Sequence, residues 1–113
     1  MALHQELPVY KATYDLLLEI FLFTKDFSKE FKYTVGESLK KETIELLTLI
    51  FRANSRRDKE TVLQEARERI EVIRLFIRVM KDLHQISLKR FVQVNQKVED
   101  VSKQLTGWQK SQK

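Results

Sequence analysis

Cysteine is absent from this sequence, which excludes disulfides, thiolate zinc sites and cysteine nucleophiles together. The absence is compatible with a reducing cytoplasm, the expected location. One proline and two glycines are too few turn formers for a sheet protein with many short connections. Only two histidines occur, His4 and His84. A di-iron bundle needs inward Glu-x-x-His pairs, and the residue three before His84 is Lys81. His84 reads instead as a helix-end cation or a core-edge residue. No apolar run is long enough to span a bilayer; the longest, residues 16–23, is broken by Glu19. The segment Met1–Leu7 lacks the basic-then-apolar pattern of a signal peptide. Carboxylates sit beside Lys or Arg at helical surface spacing, as Glu71 does with Arg67 and Arg74. Gly36 stands alone, so no phosphate-cradling loop is visible. No catalytic residue, metal, cofactor or small-molecule substrate is expected.

What is present suits one all-α domain. Of the 113 residues, 33% are charged, with a net charge of +5 and a pI near 9.5. Such a balance points toward nucleic acid or an acidic surface. Four amphipathic segments are predicted, over about 8–28, 35–54, 59–84 and 88–106. Pro8 fits the first turn of the first helix. Thr34 and Glu37 form a capping box before the second, whose core face carries Leu39, Thr43, Leu46, Leu47 and Ile50. Ser55 or Asp58 caps the third, with a core stripe of Val62, Ala66, Ile70, Ile73, Ile77 and Met80. Ser87 caps the fourth, which presents Leu88, Phe91, Val92, Val98, Val101 and Leu105, with Asn95 inside that stripe. Gly107 is expected to end this helix, Trp108 to fold back on the bundle, and residues 109–113 to form a disordered tail. Short connections make the fold an up-down-up-down four-helix bundle.

The first helix carries two apolar seams. Tyr10, Tyr14, Leu17, Leu18 and Phe21 share one face, while Val9, Leu16, Ile20, Phe23 and Phe27 recur with heptad spacing on its neighbour. Each buried large side chain contributes roughly 1.5–3 kcal/mol, so an uncovered seam forgoes on the order of 10 kcal/mol and leaves a patch that monomers rarely tolerate. Either the other helices wrap both faces or copies self-associate. The heptad seam, Val9, Leu16, Ile20, Phe23 and Phe27, is the expected interface of a homo-oligomer, with Leu75 as an outlying contact.

Basic residues gather on the third helix, where Arg67, Arg74, Arg78 and Lys81 make a narrow stripe interrupted by Glu71. Arg74 and Arg78 lie one turn apart, each able to grip a phosphate oxygen. Arg56 and Arg57, Lys89 and Arg90, and Lys40 and Lys41 add charge near helix ends. A solvated face with local ion pairs is the competing reading. Repeated around an assembly axis, the stripe would bind nucleic acid through backbone charge, with steep salt dependence.

Tyr14-Asp15-Leu16, the run from Phe31 to Lys40, Arg52-Ala53-Asn54 and the run from Ser102 to Trp108 resemble the Avd-like family. These are the accessory variability determinant proteins of diversity-generating retroelements, related to proteins encoded by 23S rRNA intervening sequences. The resemblance covers the chain from about Tyr10 onward. It implies a barrel-shaped homopentamer of four-helix protomers that binds nucleic acid and a reverse transcriptase during mutagenic copying of a template repeat. Arg74-Leu75-Phe76-Ile77-Arg78 matches the family's Arg-x-x-x-Arg step, which implies a nucleic-acid or partner-binding role for Arg74 and Arg78. The intervening-sequence branch has Asn-Ile-Ala-Glu-Gly near the end of its second helix; here Arg52-Ala53-Asn54 leads into Ser55-Arg56-Arg57, which favours the retroelement-like branch. The expected function is that of a non-enzymatic, oligomeric, nucleic-acid-binding accessory protein. The alternatives are an intervening-sequence-type protein and a protein-binding scaffold.

Overall fold

Pro8 opens α1 (Pro8–Thr24), where its missing N–H leaves no helical bond unmade; a single 3-10 turn over His4–Glu6 precedes it. The structure, a computed structural model, describes residues 3–112 except the side chain of His4. Met1 and Ala2, within the segment read as leader-free, and Lys113, in the expected tail, lie outside the described residues. The short α2 (Lys29–Lys32) precedes α3 (Val35–Ser55), α4 (Glu60–Asp82) and α5 (Leu88–Lys110). Packing joins α1 to α3, α3 to α4, α4 to α5 and α5 back to α1. The four long helices therefore stand at the corners of a square in a four-helix bundle of 43 × 22 × 22 Å, with α1 diagonal from α4.

The axis of the square decides which seam of α1 is inside. Val9, Leu16, Ile20, Phe23 and Phe27 are all buried in the protomer's own core, so they are not free to meet another copy. They meet Leu39, Leu46 and Ile50 of α3 and Val94, Val98, Val101 and Leu105 of α5 in one apolar cluster with the α4 stripe. The assignment of this seam to an oligomer interface is thus corrected. Its three- and four-residue steps fit a partner helix, and the partners are α3 and α5 of the same chain. The other seam stays outside: Tyr14, Leu18 and Phe21 are exposed, and Tyr10 and Leu17 half-buried. Buried Thr13, Thr24 and Thr43 donate their hydroxyls to the carbonyls of Val9, Ile20 and Leu39, one turn back, at 2.7, 2.7 and 2.8 Å.

Helix ends differ from expectation for local reasons. α1 stops at Thr24, before the short α2. Thr34 makes no capping box; its hydroxyl donates to the Glu30 carbonyl at 2.8 Å, closing α2 instead. α4 begins after Lys59, with the Glu60 N–H reaching Asp58 Oδ1 at 3.4 Å. Ser87 does cap α5, accepting from the Arg90 N–H at 3.1 Å. On α5, Leu88 and Val92 are exposed and Val94 takes the core position, because Val94, Val98, Val101 and Leu105 keep a strict four-three-four step. Leu49 and Leu63 are further core residues, and Leu47 is only half-buried.

Gly107 does not end α5. The helix continues to Lys110 because Trp108 packs against the core and Gln109 is buried, where its side chain reaches three residues of α4. Gln109 accepts from Arg67 Nη1 at 2.5 Å and donates to Glu60 and Gln64 at 3.0 and 3.2 Å. The expected disordered tail is, over residues 109–110, the last part of a helix.

α4 ends in a left-handed turn at His84, whose φ is 62°. The His84 N–H donates to the Lys81 carbonyl at 3.0 Å and the Gln85 N–H to the Met80 carbonyl at 2.8 Å, satisfying carbonyls that the helix end would leave open. The Gln85 side chain then accepts from the Ser28 N–H at 2.7 Å and ties together the two connections at that end of the bundle.

Two substitutions follow. Gly107→Ala raises stability by about 0.5–1 kcal/mol in urea unfolding, since a helical Gly is unfavourable and an added Cβ meets nothing within 4 Å. Ile20→Asp lowers it by on the order of 3–5 kcal/mol by leaving a buried carboxylate without a partner. Circular dichroism would register unfolding in that variant and not the release of folded monomers.

Candidate nucleic-acid interface

Antiparallel packing brings residues 24–41 and 78–92 to the same end of the bundle, the end tied by Ser28 and Gln85. These two segments hold nine Lys/Arg and four Asp/Glu, a surplus of five. Glu19 of α1, which pairs with Arg90, stands at the same end, so the end carries a surplus of four of the chain's net +5. Lys25, Lys29, Lys41 and Lys89 are exposed there, and among the described residues they make no ion pair. An open groove of about 700 Å³, lined by Lys81, Asp82, His84, Ile86, Ser87 and Leu88, runs across the same end.

The basic residues singled out in the sequence do not form one site. Arg78 is exposed and pairs with Asp82 one turn on, at 3.3 Å. Lys81 stands 3.7 Å from Asp82 and 5.1 Å above the Phe91 ring. Lys89 is exposed, and Arg90 reaches across to Glu19 of α1 at 2.7 Å, so its charge is engaged in holding α5 to α1. These four belong to the charged end. Arg74 lies along the middle of the bundle and Arg67 toward its far end, and both are tied to α5. Arg67 bonds Gln109, while Arg74 is paired with Glu99 of α5 and stands 3.3 Å from Glu71. Arg74 Nε is buried without a partner. Arg74 is therefore a cross-helix tie, and an incoming phosphate would have to displace two carboxylates. Arg56 and Arg57 are exposed at the opposite end, beyond α3. A narrow stripe was legible in the sequence; the acids on the neighbouring helix were not.

Arg69 makes a further tie, from Nη1 to Glu42 Oε2 of α3 at 2.9 Å. The hydrogen bond and charge of Glu42 push its already high pKa further up. Among the described residues no group of three His, Asp or Glu side chains is placed to hold a metal ion. No helix among them is long and apolar enough to cross a membrane.

Two apolar surfaces lie on opposite sides of the square. On the α1–α3 side, Tyr14, Leu18, Phe21, Ile44 and Phe51 are exposed around a groove of about 350 Å³ lined by Tyr10, Leu17, Leu47 and Thr48 among others. On the α4–α5 side, Leu75 is 58% exposed and shares a second groove, of about 550 Å³, with Arg74, Arg78, Phe91 and Asn95; Leu88 and Val92 are exposed nearby.

A family model described as bAvd-like matches residues 7–112, from the residue before α1 to beyond the end of α5. The chain belongs to the bAvd-like family. The match takes in all four long helices of this bAvd-like protein, both connections at its charged end and the buried Gln109. No curated protein matches the chain.

Truncation separates an arginine tied across two helices from one paired within its own helix. Arg74→Ala lowers the unfolding free energy by about 1 kcal/mol, because its pair with Glu99 spans two helices. Arg78→Ala changes it by less than about 0.5 kcal/mol, the scale of an exposed pair one turn apart. Denaturant titration of both variants compares them directly.

Proposed function

We infer that this bAvd-like protein is a non-enzymatic accessory protein that assembles with copies of itself and holds nucleic acid at the charged ends of its bundles. The observation that carries the reading is the concentration of most of the net charge at one end, with exposed lysines that, among the described residues, lack acidic partners. Binding of this kind neutralises phosphates, releases counterions and reads no base sequence. Resemblance to the retroelement accessory proteins supports a reverse transcriptase as a further partner, in a ring of copies such as the homopentamer that the resemblance implies.

The exposed seam of α1 supports self-association. Tyr14, Leu18 and Phe21, with Ile44 and Phe51 of α3, make a broad apolar face. The opposite side of the same protomer offers Leu75, Leu88 and Val92, so each copy carries both halves of a head-to-tail contact, the arrangement that closes into rings. The same face favours a second reading, a scaffold that docks a different protein there.

Binding to duplex DNA and structured RNA, measured across salt concentrations, tests the charge reading. Affinity should fall steeply with salt, and Lys29→Glu with Lys89→Glu should weaken it by about tenfold or more while flattening the slope. Arg56→Glu with Arg57→Glu at the other end should change it far less. No detectable affinity at low salt overturns the reading. Sedimentation of the wild type should report an assembly that Leu18→Asp dissolves with the helices intact; a lone 13.5 kDa particle overturns self-association and leaves the scaffold reading.

A further inference from the structure

Among the described residues three lysines lie over aromatic rings, and all three pairs sit at the charged end. Lys40 Nζ is 4.9 Å from the Phe21 ring centre, Lys81 Nζ 5.1 Å from Phe91, and Lys32 Nζ 6.0 Å from Tyr33. Phe91 lies against the core, and Phe21 belongs to the exposed apolar face shared by α1 and α3, so each has another role. Tyr33 has none. It follows the last residue of α2, is 64% exposed, and belongs neither to the core nor to the residues packed on it.

An aromatic ring beside a cation offers a nucleotide two things at once: a flat surface for the base and a charge for its phosphate. A duplex cannot use the first, because its base faces are already stacked. A single strand can, and base–aromatic stacking with a cationic track is the chemistry of sequence-tolerant single-strand binding. The track is available here. Lys25 and Lys29 precede Tyr33, Lys32 adjoins it, and the bond from Ser28 to Gln85 joins this connection to the one that leads to Lys89 and Phe91.

We propose that the charged end binds single-stranded nucleic acid in preference to duplex, with Tyr33 as the principal surface on which a base stacks. The proposal rests on the charge reading above and deepens it by naming the class of nucleic acid. Lys29 and Lys89 supply affinity for any polyanion; Tyr33 supplies the difference between single strand and duplex.

Fluorescence anisotropy at one fixed salt concentration tests this with oligouridylate, oligothymidylate and a duplex of the same length. Comparable binding of the two single strands means that the site reads exposed bases in RNA and DNA alike. A preference for one means that the sugar is read as well. In the wild type at least one of them should bind more tightly than the duplex. Tyr33→Ala should weaken the preferred single strand by about tenfold, the loss of one stacked base, and leave the duplex within about twofold. Tyr33→Phe, which keeps the ring, should restore single-strand binding. Because Tyr33 has no part in the core, loss of fold does not confuse the result. Duplex binding with no single-strand preference, or a Tyr33→Ala effect equal on both, overturns this proposal and leaves the charge reading standing. Failure to bind any of the three overturns both.

Discussion

The burial of one face of α1 between α3 and α5 is the constraint on which everything else here depends. Val9, Leu16, Ile20 and Phe23, with Phe27 just beyond the helix, occupy the interior, and that choice turns Tyr14, Leu18 and Phe21 outward. A helix with two apolar faces can be seated in a square bundle in two ways, each leaving one face in water. Both faces step by three and four, so the neighbours decide: α3 and α5 close their own apolar rows over Leu16, Ile20 and Phe23.

Polar ties then fix how the helices stand relative to one another. Glu42 with Arg69 sets α3 against α4, Glu19 with Arg90 sets α1 against α5, and Arg74 with Glu99 sets α4 against α5. Gln109 closes the far end of the last pair with contacts to Glu60, Gln64 and Arg67. Apolar packing alone tolerates sliding along a groove; pairs of limited reach at several heights do not. Two of these tied arginines, Arg67 and Arg74, belong to the basic stripe of α4, so half of that stripe serves cohesion.

Period and composition made the four helices legible, and with them the α4 core stripe of Val62 to Met80. Which seam of α1 faces inward was not legible, because both seams have helical period and only the neighbouring helices distinguish them. The capping box at Thr34 failed for a different reason: a four-residue helix just before it offered the hydroxyl a nearer carbonyl at Glu30. Gly107 and the residues after it were read from local rules for helix ends, and a buried glutamine with partners more than forty residues away overrides such rules. For the candidate site, the sequence displayed its cations but hid their partners. Arg74 and Arg78 look equivalent one turn apart, and only the position of Glu99 on α5 separates them. Charge summed by bundle end, in place of charge summed by helix, was within reach of the sequence once the up-down order was known.

A body twice as long as it is wide, with its excess charge gathered at one tip, is an electric dipole as well as a cation. Such a molecule turns in the field of a polyanion before touching it, so its first encounters are end-on. Copies related by an axis parallel to the bundle bring their dipoles into line and crowd like charge onto a single rim. Copies packed head against foot would cancel them. The polarity of one protomer therefore ties the geometry of any assembly to how strongly that assembly attracts its ligand.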